Sequence, residues 1–241
     1  MQETRSIQEK LRSAWKNVNN IFLPNDSWLT DHTKCQNIQK KLSYFNSEHK
    51  DSPEHIDRVY KGLVRGINVT QAAIDWEKPS IGRRNDTGRG RGIQWQLVIA
   101  YSGFEITTKG LMNLFKNQPK PSHFKSMIDK CNLPNYLPLN PPASDSSKNL
   151  EKWLSKEEKS IAEFLGLKYK DIEVIEDWMV KSCPINTWED AFFLAKAFRN
   201  TTTHGFLVPS KVKDWKLKSS LEVLTENIAE ILVAALEKLE S

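Results

Sequence analysis

The sequence predicts an all-α fold, an up-down helical bundle with an N-terminal helical extension. Apolar residues recur at intervals of three and four along most of the 241-residue chain, which is the spacing of one helix face. The apolar–polar alternation of a half-buried strand is nearly absent. The chain also has 10 glycines, few for a barrel or sandwich with many tight turns. We expect an extension over residues 1–80, a basic loop over 81–93 and a bundle core over 94–241.

Three helices are predicted within the N-terminal extension. The first carries an apolar stripe over residues 7–22, and the second covers residues 33–45. The third begins after the segment 51–54, where Ser or Asp can cap the helix and Pro suits an early helical position. It is expected to end near Trp76.

A segment rich in glycine and arginine follows the extension. Residues 80–92 read SIGRRNDTGRGRG, which predicts a flexible loop rather than a helix. The glycine spacing does not match a dinucleotide-binding motif. The arginines are candidate RNA-phosphate ligands, and the alternative is a solvated linker. These candidate RNA-binding residues are Arg83, Arg84, Arg89 and Arg91.

Helical spacing resumes after the basic segment and continues to the C-terminus. The predicted helices cover residues 93–115, 122–131, 155–165, 171–181 and 219–239. A further helix is predicted to begin after a cap at Thr187 or Asn186. Residues 133–147 hold four prolines and predict an irregular loop.

The motif Arg199-Asn200-Thr-Thr-Thr-His204 points most sharply to an activity. It joins a permanent cation to the side-chain type that titrates near neutral pH. Five residues of ideal helix give about 140° of rotation, so Arg199 and His204 converge only if the helix ends or tightens, or if a second copy completes the site. The threonine run and Gly205 predict a helix end with His204 at or near the C-cap. The structural alternative is that both cations only complement the helix dipole.

A second polar group lies in the apolar helix predicted over 93–115. Ser102 and Glu105 are three residues apart and therefore share a helix face. A carboxylate in such an apolar helix needs a partner, and Arg199 is the candidate. The alternative is that Glu105 faces solvent beside Lys109.

Charge and cysteine content narrow the function classes. The net charge of +5 fits a polyanionic partner, and equally a plain surplus of lysines. Three separated cysteines without a C-x-x-C pair favour a reducing compartment over disulfides or a zinc site. No apolar run of 18 residues or signal-like N-terminus occurs, so we expect a cytoplasmic protein. No carboxylate–histidine cluster with metal-ligand spacing occurs either, and we expect neither a metal nor a cofactor. No G-x-S-x-G or H-E-x-x-H motif occurs, and the other histidines are expected at the surface: His32, His49, His55 and His123.

Arg199, Asn200 and His204 resemble the signature of the HEPN superfamily (higher eukaryotes and prokaryotes nucleotide-binding domain). In that signature an arginine is followed by a polar residue and then by a histidine. The resemblance implies a small helical bundle, which residues 94–241 would supply, with the motif near the end of one helix. Ser102 and Glu105 also look like polar positions of this family. Residues 1 to about 80 match no part of it.

The resemblance implies a metal-independent endoribonuclease that works as a homodimer, with two motifs lining one cleft. The RNA 2′-hydroxyl would attack the neighbouring phosphate to leave a 2′,3′-cyclic phosphate. His204 would then be a general base or acid, Arg199 would stabilise the transition state, and Asn200 would orient the histidine or contact phosphate. The setting would be a toxin–antitoxin, phage-defence or stress system, with an antitoxin or nucleotidyltransferase as partner.

Two alternatives remain open at this point. One is a non-catalytic module of the same type that binds nucleotide, RNA or a partner protein. The other is a structural helical protein in which Arg199 and His204 only stabilise a helix end.

Overall fold

The computed structural model describes residues 6–22, 31–76, 86–142 and 170–240, with a few single positions between 148 and 166. This part of the chain is all-α, as predicted, and its strand-like feature is one isolated antiparallel bridge between Leu139 and Ile185. The helices are α1 Ile7–Phe22, α2 His32–Ser43, α3 Pro53–Ile74, α4 Asp86–Leu111, α5 Pro121–Lys130, α6 Lys170–Met179, α7 Trp188–Thr203, α8 Pro209–Asp214 and α9 Lys218–Glu237. None of these helices is both long and apolar enough to cross a membrane.

The chain divides into two compact units. The first unit comprises Met1–Asp75, Ser102–Pro134 and Ala229–Ser241, and the second comprises Trp76–Tyr101 and Asn135–Ile228. Helices α4 and α9 therefore contribute residues to both units. The domain boundaries expected at residues 80 and 93 stay predictions.

Apolar stripes and caps build the first unit as the sequence predicts. Helix α1 buries the apolar face that runs from Leu11 to Phe22 and packs against α3. The ring of Phe22 lies 5.5 Å from that of Tyr60 on α3, measured between centroids. Helix α3 begins where the Ser52 side chain accepts the hydrogen bond of the His55 backbone N–H, with Pro53 directly after it.

Two glycines let α3 and the C-terminal half of α4 cross at close range. A Cβ on Gly66 would lie 2.8 Å from the carbonyl oxygen of Gly103 and would overlap the Thr107 hydroxyl. A Cβ on Gly103 would lie 2.6 Å from the carbonyl oxygen of Gly66 and would overlap the Thr70 hydroxyl. The two backbones therefore touch directly, which is possible only where neither helix carries a side chain.

The expectation that His49 and His55 lie at the surface is wrong for His49. His49 is 4% exposed. Its Nε2 lies 2.8 Å from the carbonyl oxygen of Leu111, and its Nδ1 lies 2.9 Å from Nε2 of His55. Since a carbonyl can only accept, His49 donates from Nε2 and accepts at Nδ1 from His55. The pair ties the start of α3 to the end of α4 within the first unit.

The predicted basic loop is shorter than expected, because α4 begins at Asp86 rather than near Ile93. The residues from 86 to 92 are helical despite their three glycines. Gly90 is buried against α8, where an added Cβ would lie 3.1 Å from the carbonyl oxygen of Pro209. Packing of this glycine offsets the poor helix propensity of the segment. Arg83 and Arg84 lie outside the described residues, as does most of the helix expected over 155–165.

Helix α8 was not expected from the sequence. It has six residues, too few to show a hydrophobic period. The other C-terminal helices lie within a few residues of their expected bounds.

Candidate functional site

Helix α7 carries the Arg-Asn-x-x-x-His motif to its C-terminal end. It begins as predicted, with the Thr187 hydroxyl accepting the backbone N–H of Asp190 at 3.0 Å. Glu189 and Asp190 place negative charge in the first turn, where the helix dipole favours it. One face of α7 is buried in the second unit and α6 packs against it, which fixes the direction of the motif.

His204 is the C-cap of α7, as the sequence predicts, and its side chain is exposed. Gly205 follows with φ +75°, the left-handed conformation that favours glycine. The Phe206 N–H donates to the carbonyl of Thr201 at 2.9 Å, and the Gly205 N–H donates to that of Thr202 at 3.1 Å. These two bonds form a Schellman motif, which holds the backbone of His204 in one position.

Gln94 on α4, within the second unit, forms hydrogen bonds to the residues on either side of this turn. Its side chain is 2% exposed and donates to the carbonyl of Leu207 at 2.7 Å. It also lies 3.3 Å from the Thr202 hydroxyl. The buried amide therefore fixes the chain on both sides of His204. Sequence reasoning missed Gln94, because nothing in the sequence pairs it with a loop more than 100 residues away.

Helix α7 remains helical through Thr203, so no break or tightening separates Arg199 from His204 before the cap. The rotation of about 140° over five residues therefore still separates the directions of their side chains. A second copy of the motif, the remaining route by which both residues could act on one group, stays a prediction.

The Arg199 side chain is half-buried, and its contacts include Tyr101 and Asn200. Its guanidinium carbon lies 5.4 Å from the centroid of the Tyr101 ring, and Nη1 donates to Oδ1 of Asn200 at 3.0 Å. Tyr101 itself stacks on Phe192 of α7, with ring centroids 5.7 Å apart. The motif arginine and asparagine thus form one hydrogen-bonded pair.

Asp171 at the start of α6 completes this polar network. It is 7% exposed and accepts from Nζ of Lys196 at 2.8 and 3.0 Å. Its second oxygen also lies 3.4 Å from Nδ2 of Asn200. Lys196 and Asn200 are four residues apart and share one face of α7, so a single carboxylate can hold both. Sequence reasoning missed Asp171, and the available signal was an acid in the first turn of the helix predicted over 171–181.

The other predicted site residues lie at different places in the chain. Ser102 and Glu105 belong to the first unit and are both half-buried. Glu105 forms an ion pair with Lys109 at 3.5 Å, the contact that the solvent-facing alternative expects. Its pairing with Arg199 stays a prediction. Arg89 and Arg91 belong to the second unit and are exposed on α4.

The chain matches no protein-family model, no curated protein and no solved structure.

The residues themselves therefore carry the functional argument. Within the described part of the chain, no group of three or more His, Cys, Asp or Glu side chains is arranged to hold a metal ion. At the C-terminal end of α7, the exposed imidazole of His204 lies on a backbone held by hydrogen bonds, and the guanidinium of Arg199 donates to the side chain of Asn200. These are groups suited to proton transfer and to charge stabilisation at a phosphodiester.

Proposed function

We propose that the protein is a metal-independent endoribonuclease of the HEPN type. The observation that carries the proposal is the end of α7, where an exposed His204 stands on a backbone fixed by the Schellman turn and by Gln94. A catalytic imidazole needs access to substrate and a defined position, and this end of the helix supplies both.

The proposed reaction is an internal transesterification. One His204 removes the proton of an RNA 2′-hydroxyl, and the 2′-oxygen forms a bond to the adjacent phosphorus. The bond from phosphorus to the 5′-oxygen breaks, and a second imidazole protonates that oxygen. The products are a 2′,3′-cyclic phosphate and a 5′-hydroxyl, and no water is consumed. DNA lacks the nucleophile and is not a substrate for this step.

Arg199 and Asn200 have supporting roles in this proposal. The Arg199 guanidinium stabilises the charge that develops on the phosphoryl oxygens. Asn200 contacts both Arg199 and Asp171, so it transmits the position of α6 to the guanidinium. Asp171 and Lys196 are positioning residues, because they act through Asn200 rather than on the substrate.

The proposed active unit is a homodimer, because the helical spacing of five residues rotates Arg199 and His204 by about 140° from each other. Phe206 and Val208, two and four residues after His204, are 46% and 43% exposed. Exposed apolar side chains beside a functional group are typical of interaction surfaces. A second copy packed there would bring a second motif to the same cleft and supply the general acid.

RNA cleavage by the full-length protein tests this proposal. Total RNA is incubated in EDTA with wild type, His204→Ala and Arg199→Ala, and the cut ends are mapped. We expect cleavage by wild type only, because His204→Ala lacks the proton-transfer group and Arg199→Ala lacks the cation that stabilises the transition state. If the wild-type protein binds RNA and leaves it intact, the catalytic proposal fails.

A second candidate is a non-catalytic module that binds nucleotide or RNA. It is favoured by one observation, the engagement of the Arg199 guanidinium with Tyr101 and Asn200 of its own chain. This candidate predicts RNA binding without turnover, with His204→Ala changing the affinity or nothing. The cleavage assay in EDTA therefore separates the two candidates.

The proposal also includes a cytoplasmic location and a protein partner. The separated cysteines suit the reducing cytoplasm. An antitoxin or a nucleotidyltransferase is the expected protein partner, and co-purification from the native host tests for it.

A further inference from the structure

The second unit contains an open cavity of about 210 Å³ that the proposed catalytic site does not use. It lies between the first turns of α4, the end of α8 and the start of α9. Among the described residues that line it, four carry positive charge and none carries a carboxylate. The lining residues are Arg89, Gly90, Val212, Lys213, Lys216 and Lys218.

Close packing of α4 on α8 brings the Arg89 side chain to these lysines. Gly90 is buried beside Val212 and the backbone of Pro209, where a larger residue would separate the helices. Because Gly90 has no side chain, the neighbouring Arg89 is carried to the edge of the cavity. The helical conformation of this glycine–arginine segment thus places Arg89 at the cavity, which a flexible loop would not do.

Lys216 occupies a position that normally suits glycine. Its φ is +53°, in the left-handed region, and it is the residue after the C-cap of α8. The Leu217 N–H donates to the carbonyl of Val212 at 2.9 Å, and the Lys216 N–H donates to that of Lys213 at 3.0 Å. This is a second Schellman turn, and a lysine there bears a backbone cost that glycine avoids. The Lys216 side chain adds a positive charge to the lining of the cavity from this turn.

The chemistry of the cavity indicates an anionic ligand of small size. Positively charged side chains that line one cavity raise the local potential and attract an anion. Asp214, a described carboxylate close to these residues in sequence, forms an ion pair with Lys211 at 3.4 Å. Helix α9 begins at Lys218 with no acidic residue in its first turn, so its positive dipole end adds to the field. The volume is below the roughly 300–1,000 Å³ of typical cofactor sites and suits a phosphate group.

We infer that this cavity binds a backbone phosphodiester of single-stranded RNA, with Arg89, Lys213, Lys216 and Lys218 as its ligands. The inference rests on the proposed ribonuclease function and gives the substrate a contact outside the reacting group. Arg89 was a candidate from the sequence, whereas the three lysines emerge from the structure. The contact is to phosphate, so it fixes the strand without reading the bases.

Binding of RNA at several salt concentrations tests this inference. A short fluorescein-labelled single-stranded RNA is titrated with full-length protein in EDTA, and every protein carries His204→Ala so that the RNA stays intact. Lys216→Gly and the double variant Arg89→Gln/Lys216→Gly are compared with Lys116→Gln. Lys116 is an exposed lysine of the first unit, so its variant matches the loss of one charge.

We expect Lys216→Gly to bind RNA about tenfold more weakly, as the loss of one charge-assisted contact requires. The slope of log affinity against log salt should fall by about 0.7 for each cation removed. The melting temperature of Lys216→Gly should equal or exceed that of its parent, because glycine suits the turn. Lys116→Gln should change neither affinity nor slope appreciably.

Equal binding by the cavity variants and Lys116→Gln overturns the inference, even where the wild type cleaves RNA. Weaker binding in the cavity variants, without cleavage by wild type, supports the cavity and refutes the catalytic proposal instead. Inorganic phosphate is the second probe. Stabilisation by phosphate that depends on Lys216, with RNA binding that does not, would mean that the cavity takes free phosphate rather than RNA.

Discussion

The guanidinium of Arg199 lies over the aromatic ring of Tyr101, 5.4 Å from its centroid. Tyr101 is buried and is held in turn by the ring of Phe192, which belongs to the same helix as Arg199. The Arg199 side chain therefore extends from α7 to Tyr101 of α4, and Tyr101 stacks in turn on Phe192 of α7. A cation–π contact of this kind is worth about 2 kcal/mol when it is shielded from water.

This contact predicts that the ring, more than the hydroxyl, of Tyr101 matters for function. Tyr101→Phe should cleave RNA at a rate close to wild type, since the ring face remains. Tyr101→Leu should lower single-turnover cleavage about tenfold, which corresponds to a loss of about 1.4 kcal/mol. Equal rates for Phe and Leu at this position would show that the ring does not orient Arg199.

Asp171 is predicted to affect both stability and catalysis. Asp171→Ala leaves Lys196 and Asn200 without their shared acceptor and should lower the free energy of unfolding by roughly 1–3 kcal/mol. Asp171→Asn keeps an acceptor for Asn200 and should retain more activity. Urea unfolding and single-turnover cleavage measure the two effects.

A matched control for Asp171 lies on the same helix. Asp177 forms an exposed ion pair with Lys181 one turn later, at 2.6 Å. Exposed pairs contribute little, so Asp177→Ala should leave stability and cleavage close to wild type. A comparable loss from both alanine variants would argue that α6 is merely sensitive to charge and that Asp171 has no positioning role.

The close crossing of α3 and α4 predicts that alanine substitutions at two glycines of α3 have different effects on stability. Gly66→Ala should destabilise the protein by about 1–3 kcal/mol, because the new methyl group would overlap Thr107 and the Gly103 backbone. Gly62 lies on the same helix, and its nearest contact for an added Cβ is Phe115 at 4.0 Å. Gly62→Ala should therefore be neutral or stabilising by up to about 1 kcal/mol.

Urea unfolding monitored by circular dichroism measures both glycine variants. Equal unfolding midpoints for Gly66→Ala and Gly62→Ala would show that the helices do not cross as described.

The pair formed by buried His49 and half-buried His55 predicts a stability that depends on pH. Burial lowers the pKa of His49 and of His55 below the ordinary value of 6.5, and the neighbouring charges add to the effect on His55. The unfolded chain therefore binds more protons than the folded chain below about pH 6.5. The contribution of the pair is complete above that pH and falls as the pH decreases toward the lower folded pKa values.

Unfolding free energies between about pH 7 and pH 5 measure this dependence. His49→Gln should reduce the slope, because its amide can donate to the carbonyl of Leu111 without taking up a proton. A wild-type stability that stays constant over this range would contradict the neutral, hydrogen-bonded pair.

Local signals in the sequence predict most helices and the end of α7. The α1 stripe, the cap at Thr187 and the glycine after His204 each act over a few residues, and the structure confirms all three. The start of α4 could not be predicted in this way, because Gly90 is helical only through its packing against α8. Propensity alone assigns such a segment to a loop.

The contacts that hold the motif in place could not be predicted, because the residues that form them are distant in sequence. Asp171 meets Asn200 across 29 residues, and Gln94 meets Leu207 across 113. No local pattern encodes such contacts. The Arg199–His204 spacing could be interpreted from sequence, since an ideal helix already shows that the two side chains diverge.

The chemistry of the RNA ends tests the central proposal most directly. A defined RNA is incubated in EDTA with wild type and with His204→Ala, alongside the same sequence carrying a 2′-deoxynucleotide at the mapped cut. The proposal predicts a 2′,3′-cyclic phosphate and a 5′-hydroxyl from wild type, and no cut in the variant or at the deoxy position. Cleavage at the deoxy position, cleavage by His204→Ala, or intact RNA with wild type would contradict it.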